Sequence, residues 1–576
     1  MNIKIALVTV DYNNHKDTYE LLDSYKNLNT KNLQTKFIVV DNGSKIPLQK
    51  QKIEKYENSI LIRTSKNLGF AGGYNRGMKW AIAWGADYVF IINNDTLFKD
   101  KNILLQLIEV FKKNKNIGLV SPKILFAPGY EFHKKRYKKN ERGNVIWYAG
   151  GDFDWNNIYS EHRGIDEVDY GQFDQINQTG FISGCCLMIK SEVLKKVGYF
   201  DEKLFAYFED NDFVNRVTAS GYKQYYNGKT EIYHKVSQTA GVGSELTDYL
   251  LTRNRLFIGM KYAPARAKFA LMRESVKFLL IGRLAQKRGV ISFLMREYGA
   301  PKSISQTQDY NSFFIDISIV VVNYKTADLT VKLLQSIYKD EGYDQKTDEI
   351  IVVDNASDDN LSQKIKKYKD VLYVESEKNL GFAGGYNRGI ALSRGKNILI
   401  LNSDIEFKNN SLSNLKKAAQ KYSNTVLVPK LILPNGNVQK SVFNLPGIVG
   451  AFREYLFGTK NAYSMYVPKF DIPIKVEGGV MAAMLIPRAV WDKVGAISEK
   501  SFMYFEDIEY CRRLKNKSVP IYYLPNLEVN HHHGAASKTI GEKAGEYLVA
   551  GAKAYHGSLR YWIITLIIKM GQKLRG

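Results

Sequence analysis

Lys66-Asn67-Leu68-Gly69-Phe70-Ala71-Gly72-Gly73-Tyr74-Asn75-Arg76-Gly77 decides how this chain is read, because the same string returns letter for letter as Lys378–Gly389. An identity of that length within one chain marks an internal duplication, and a duplication has to be found before a fold is assigned. The register holds on both sides. Upstream, Phe37–Ser44 answers to Ile350–Ser357; downstream, Ile91-Ile92-Asn93-Asn94-Asp95 answers to Ile400-Leu401-Asn402-Ser403-Asp404. Tyr207-Phe208-Glu209-Asp210 answers to Tyr504-Phe505-Glu506-Asp507, and Glu231-Ile232-Tyr233-His234 to Glu528-Val529-Asn530-His531. The chain is two copies of one domain.

Its 576 residues suit two large domains, each with a full core, and 45% hydrophobic with 24% charged residues is ordinary globular composition. The net charge of +24 is not ordinary. It points to acidic partners: nucleic acid, an anionic membrane surface or phosphate-bearing substrates. Cys185, Cys186 and Cys511 make neither a disulfide framework nor a zinc site, which fits a reducing cytoplasm. The amino-terminal residues read as a first strand rather than a signal peptide, and no apolar run is long enough to span a membrane.

Along the first copy, residues 3–10 are mostly apolar, as in a buried parallel strand. Residues 17–28 have helical spacing, Phe37–Val40 is a second strand, residues 58–63 a third, Asn75–Trp84 a helix and residues 87–92 a fourth strand. Strand and helix alternate, which predicts an α/β fold with a parallel core. Ligands of such sheets sit beyond the carboxyl ends of the strands, so Asp11, Asp41 and Asp95 should converge on one crevice. Residues 128–180 read as an antiparallel flap, Phe181–Ile189 as a small-residue strand, and Tyr222–Tyr226 and Glu231–His234 as two short strands. The expected domains are residues 1–260, a helical linker at 261–312, residues 313–558, and a carboxy-terminal amphipathic helix at 559–576. Arg273–Glu297 and Leu559–Leu574 mix apolar residues with Lys and Arg, the pattern of a helix packed between domains or lying on lipid.

The strand-end residues Asp41 and Asp354 suit a turn, or acceptance of a hydrogen bond from a base or ribose. In Asn93-x-Asp95 and Asn402-x-Asp404, two oxygen-bearing side chains point the same way from an extended segment, and a hard divalent cation takes such oxygens together with substrate phosphates. His234 and His531 recur late in each copy as candidate partners of Asp95 and Asp404 on a metal; His532 and His533 are alternatives to His531. Glu209-Asp210 and Glu506-Asp507 lie among aromatic residues, where a carboxylate has a raised pKa and serves as a general base, or simply opens a helix. The glycine-rich stretch lacks dinucleotide-fold spacing. Gly72, Gly73, Gly384 and Gly385 are read as letting backbone approach a nucleotide sugar, with Arg76 or Arg388 touching phosphate.

Taken together, Val-Val-Asp-Asn, the glycine-rich stretch, Asn-x-Asp, Phe-Glu-Asp and a late His resemble the family-2 inverting glycosyltransferases of the GT-A fold. The likeness is to the rhamnosyl- and galactofuranosyltransferase-like branch of bacterial surface polysaccharide synthesis, and it covers both copies. The segments Leu433–Ser441 and Tyr555–Ser558 of the second copy resemble a rhamnosyltransferase-like subtype. The resemblance implies two tandem nucleotide-diphospho-sugar transferase domains. Asp41 and Asp354 would hold the base of a dTDP- or UDP-sugar, with Asp11, Asn94 and Ser403 also on the donor side. Asp95 with His234, and Asp404 with His531, would bind Mg²⁺ or Mn²⁺ on the diphosphate. Asp210 and Asp507, flanked by Glu209 and Glu506, would take the proton of the acceptor hydroxyl.

Two departures stand out. The metal motif starts with Asn rather than Asp, and Ser183-Gly184 of the first copy is Val480-Met481 in the second. The expected function is a bifunctional transferase acting on a lipid-linked glycan at the inner face of the plasma membrane, with peripheral lipid contact and no nucleic-acid partner. In the alternative, one copy is catalytic and the other grips the acceptor glycan. A nucleic-acid-binding protein would need a recognition motif that is absent here. A nucleotidyltransferase would need a basic glycine-rich phosphate loop that residues 8–16 do not contain.

Overall fold

A computed structural model describes residues 3–236, 244–304, 307–408, 410–532, 534 and 543–575. The chain divides into two compact units, Met1–Ser312 and Phe313–Gly576.

In the first unit, apolar runs at Ile3–Asp11, Leu33–Asp41, Ser59–Arg63 and Tyr88–Ile92 form the parallel half of a ten-stranded sheet. Ile5–Val8 and Phe37–Val40 have no exposed surface, which is why these strands read as continuous apolar runs rather than alternating ones. The sheet continues through Cys186–Lys190, antiparallel to both Tyr88–Ile92 and Ile117–Phe126, and ends with Lys223–His234 and Ile176–Gln178. The second unit repeats this order with Ile317–Asn323, Asp348–Asp354, Val371–Glu375 and Asn397–Asn402 as its parallel half. Ala483–Pro487, Val426–Ile432 and Ile521–His531 follow.

Four elements differ from the sequence reading. The two short strands expected at 222–226 and 231–234 are one strand, Lys223–His234, whose pairing with Ile117–Phe126 slips between Asn227 and Glu231. A bulge of this kind interrupts the sequence pattern without ending the strand. The small-residue strand expected from Phe181 starts only at Cys186. The glycine-rich helix starts not at Asn75 but at Gly69, and its copy at Gly381. Glycine costs a helix about 1 kcal/mol relative to alanine, so tertiary contact has to decide this case. A Cβ on Gly73 would stand 2.8 Å from Val10 Cγ1, and one on Gly77 would stand 2.3 Å from Val8 Cγ1. The helix lies directly on the strands because those side chains are missing.

The flap at 128–180 contains the short strand Ile146–Tyr148 and the hairpin Gly151–Asp154 with Tyr159–His162. The one helix expected over Arg273–Glu297 is two, Ala265–Ile281 and Leu284–Leu294, separated at Gly282. With Glu245–Tyr262 they pack into the first unit around Leu256, Leu271 and Val290. Buried Arg253 fastens this layer by donating to the carbonyls of Gly299 (2.9 Å) and Leu204 (3.1 Å). In the second unit, Lys543–His556 and Ser558–Arg575 are helices. Among the described residues no helix is long and apolar enough to cross a membrane.

Candidate active site

The sheet's connectivity brings the acid and the late histidine together. Asp95 follows the strand Tyr88–Ile92, and the short strand Thr96–Phe98 then pairs with the end of Lys223–His234, setting Thr96 opposite His234. His234 Nε2 is 3.3 Å from Asp95 Oδ1. The second unit repeats the device: Ile405 pairs with His531, and His531 Nε2 is 3.2 Å from Asp404 Oδ1. All four residues are buried. His532 turns to Glu406 instead, at 3.1 Å, and His533 lies outside the described residues.

Asn93 and Asn402 are engaged elsewhere. The hydroxyl of buried Tyr74 is 3.0 Å from both Asn93 Oδ1 and the Ile92 carbonyl, and Tyr386 makes the same approach to Asn402 Oδ1 (3.1 Å) and Leu401 (2.9 Å). This Asn anchors the glycine-rich helix to the acid loop, a role the motif spacing gave no means of seeing.

The acid–histidine pairs offer two ligand types that divalent cations accept, a carboxylate oxygen and an imidazole nitrogen. His531 Nδ1 lies 2.6 Å from Gln439 Oε1, which orients the ring so that Nε2 faces the Asp404 carboxylate. Adjacent ligands of an octahedral ion with bonds of about 2.1 Å stand about 3 Å apart, close to the spacing seen here. Among the described residues no group of three or more His, Cys, Asp or Glu is arranged to hold a metal. Each pair by itself supplies two ligands, so a cation held there would need further ligands from outside these side chains.

The second pair of acids opens a helix in each unit, Glu209–Ala219 and Glu506–Asn516. The turn before each helix is strained: Phe205, Tyr207 and Phe208 have φ of 63°, 70° and 70°, and Tyr504 and Phe505 have 70° and 71°. Left-handed backbone at bulky residues costs energy and persists only where the surroundings impose it. Here the glycine-rich helix does so. Ala71 N–H donates to the Phe205 carbonyl (3.1 Å) and Phe382 N–H to that of Phe502 (3.0 Å). A Cβ on Gly69 would stand 2.3 Å from the Phe205 carbonyl oxygen. Asn254 Nδ2 also donates to the carbonyls of Leu204, Ala206 and Tyr207.

Burial raises the pKa of all four acids. In the second unit Glu506 is pushed to about 8, by burial and then by the charge of Asp507, while Asp507 is pushed to about 6 by burial. Glu209 Oε2 and Glu506 Oε2 accept no hydrogen bond among the described residues, as suits a protonated neighbour. Asp210 accepts from Gly184 N–H (3.1 Å) and from Asn211. Asp507 accepts from Ile508 N–H (2.7 Å), and Met481 stands where Gly184 would be.

Acid–histidine pair and buried acids share one site. In the second unit Asp404, His531, Glu506 and Asp507 line a single cavity of about 300 Å³, with Ser403 and Met481. In the first unit one short segment links them: Gly184 bonds Asp210, and the next residue, Cys185, hydrogen-bonds His234 and feels the charge of Asp95. Burial works against an imidazolium at His234, yet Cys185 and Asp95 raise its pKa well above the ordinary value.

The remaining predicted site residues are largely engaged by the protein. Asp11 accepts from Thr18 (2.6 Å) and Ser44 (3.2 Å) and pairs with His15. Asp41 accepts from the Ser44 and Leu48 amides and from Arg63 Nη1 (2.6 Å). Its counterpart Asp354 accepts from Ser357 and from the Tyr373 hydroxyl (2.9 Å). Asn94 donates to Thr18, and Ser403 meets Thr326, so both brace the first loop of their unit. Arg388 donates to Ser376 (2.9 Å), and Arg76 holds the equivalent helix position. Gly73 and Gly385 press on Val10 and Val322, and Gly72 and Gly384 on Leu68 and Leu380, so their lack of a side chain is used in packing. Asn42 and Asn355, missed as site residues, pin the start of each glycine-rich helix by bonding Gly69 and Gly381.

The model of glycosyl transferase family 2 matches residues 7–198 and 318–483, and the chain belongs to that family. Its two large sheets are the cores of two tandem GT-A domains. The low-salt glycan biosynthesis hexosyltransferase Agl10 of Haloferax volcanii is 27% identical over 36% of this chain and 64% of its own length. The N-acetylglucosaminyl-diphospho-decaprenol L-rhamnosyltransferase of Mycobacterium tuberculosis is 24% identical over 35% and 67%, and the rhamnosyltransferase WbbL of Escherichia coli 25% over 40% and 88%. The chain thus spans about two thirds of the length of the first two. Among solved structures, S. aureus TarS 1–349 with UDP aligns over 44% of this chain and 70% of that chain, with 17% identity and a TM-score of 0.30.

Proposed function

We propose that both units are catalytic and that the chain forms two glycosidic bonds, each with inversion, from nucleotide-diphosphate sugars onto a lipid-linked glycan. Rhamnose and galactofuranose are the favoured sugars, in synthesis of an O-antigen, capsule or cell-wall polysaccharide. The observation that carries this is the recurrence, in each unit, of an acid–histidine pair, 3.3 and 3.2 Å apart, together with a buried Glu–Asp pair.

Asp210 and Asp507 take the proton from the acceptor hydroxyl as it attacks the anomeric carbon. Their raised pKa values bring them closer to the working pH, which favours general-base catalysis. The neighbouring Glu209 and Glu506 stay protonated and leave the negative charge on the aspartate. Asp95 with His234, and Asp404 with His531, would hold Mg²⁺ or Mn²⁺, which when bound would offset charge developing on the leaving diphosphate. Asp41 and Asp354 end the strands over which the donor's base lies.

The lipid-linked acceptor draws support from the decaprenol-linked substrate in the name of the mycobacterial relative. Contact with the inner face of the membrane draws support from exposed apolar side chains among basic ones. These are Phe269, Leu280 and Ile281 in the first unit, and Leu559, Trp562 and Leu566 in the second.

The test incubates the protein, Mg²⁺ or Mn²⁺, a panel of dTDP- and UDP-sugars and a lipid-linked acceptor, and determines product mass and linkage. Asp210→Asn and Asp507→Asn are each expected to remove a different bond. A variant that leaves the product unchanged assigns its unit to acceptor binding instead.

A further inference from the structure

The first unit contains a cavity of about 440 Å³ lined in part by the helix that opens with Glu209 and Asp210. One face of the helix Glu209–Ala219 supplies Asn211 and Asn215; the flap supplies Phe153, Trp155 and Gln178. The composition is that of a pocket for a polyhydroxylated ligand, with two half-buried aromatic rings and several carboxamides. Asn211 carries the decisive detail. It lines the cavity, is 7% exposed, and its Nδ2 donates to Asp210 Oδ1 at 3.0 Å, so the cavity wall is one hydrogen bond from the acid.

The second unit does not repeat this chemistry. Ile508 stands in place of Asn211, and Arg512 in place of Asn215. Arg512 lies over the Tyr555 ring at 4.2 Å and donates to its carbonyl. That helix face is therefore covered by the unit's own helix Lys543–His556.

We propose that this cavity is a saccharide subsite of the first unit. It holds a neutral sugar residue of the acceptor glycan beside the catalytic acid, with the ring's C–H face against Trp155 and Phe153 and its hydroxyls on Asn211, Asn215 and Gln178. The proposal rests on the glycosyltransferase reading. The second unit, lacking the subsite, takes an acceptor that differs in the residue next to the growing end.

The test is saturation-transfer NMR of the full chain with methyl α-L-rhamnopyranoside, methyl β-D-galactofuranoside and methyl β-D-glucopyranoside, without donor, alongside an assay of sugar-nucleotide hydrolysis. At least one glycoside is expected to give a saturable signal. Trp155→Ala and Asn215→Ala are each expected to weaken it about tenfold, as loss of an aromatic platform or a hydroxyl partner would. Trp155→Phe should restore most of it, and Tyr170→Ala, an exposed aromatic outside the cavity, should change nothing. If Trp155→Ala fails to fold, Asn215→Ala, on the helix surface, decides. Wild-type protein that hydrolyses a sugar nucleotide but binds no glycoside, or whose variants bind like wild type, overturns the subsite and leaves the proposed function intact. Wild-type protein with no hydrolysis of any donor overturns the proposed function itself.

Discussion

Replacing Glu506 by Gln should stabilise the second unit, and by an amount that grows with pH. Glu506 is buried, its Oε2 has no hydrogen-bond partner among the described residues, and its pKa is raised from 4.5 to about 8 by burial and by Asp507. In the unfolded chain it ionises near 4.5; in the folded unit it keeps its proton until about pH 8. The folded state therefore binds more protons in that window, and stability falls as pH rises through it. At about 1.4 kcal/mol per pH unit, the loss reaches about 5 kcal/mol by pH 8. Glutamine keeps the shape and does not titrate. At pH 5 the variant should lead by less than about 1 kcal/mol, and at pH 8 by about 4–5 kcal/mol, more than about a thousandfold in opening equilibrium. Hydrogen exchange of the amides of Ile398–Leu401, central in the second sheet, measures this unit alone when variant and wild type are compared at the same pH. The amides of Val89–Ile92 in the first unit serve as the internal reference. A gain equal at pH 5 and pH 8 would refute the claim that Glu506 is held protonated by its surroundings.

The linkage assigned to the second unit should form more slowly as pH falls below about 6, by about tenfold per unit, because Asp507 must be deprotonated to accept a proton; rates of product formation at saturating metal measure it. His531→Ala should raise the metal concentration needed for donor turnover by about tenfold or more, since only Asp404 would remain of the pair, and a Mn²⁺ titration reads this directly. Tyr386→Phe removes the hydroxyl that meets Leu401 and Asn402, and should cost about 1–3 kcal/mol in urea unfolding of the second unit. Gly77→Ala places a Cβ 2.3 Å from Val8 Cγ1 and should destabilise the first unit by a similar amount, about 1–3 kcal/mol, seen as earlier urea unfolding.

Much of the site was legible in the linear chain because the duplication supplied its own comparison. Glu-x-x-His marked His531 among three consecutive histidines, and His531 is the one beside Asp404. The buried acids were found from their aromatic neighbours, and the parallel half of each sheet from its apolar runs. What the linear chain hid were contacts whose partners lie elsewhere along it. Gly72 and Gly73, read as letting backbone approach a ligand, also pack against Leu68 and Val10. Asn93, read with Asp95 as a pair of oxygen ligands, also receives the Tyr74 hydroxyl.

By itself, the sequence determined the duplication, the α/β class and the identity of the acids, because these depend on residue type and short-range period, which are written in one dimension. Only the tertiary structure decided that a bulged strand runs on to deliver each histidine to its acid, that a glycine-rich helix holds the aromatic turn before each Glu–Asp pair in left-handed backbone, and that the helix opened by that pair faces a cavity in one unit and a tyrosine-covered arginine in the other. Those outcomes depend on close approach between segments tens to hundreds of residues apart, and such distances exist only once the chain has packed.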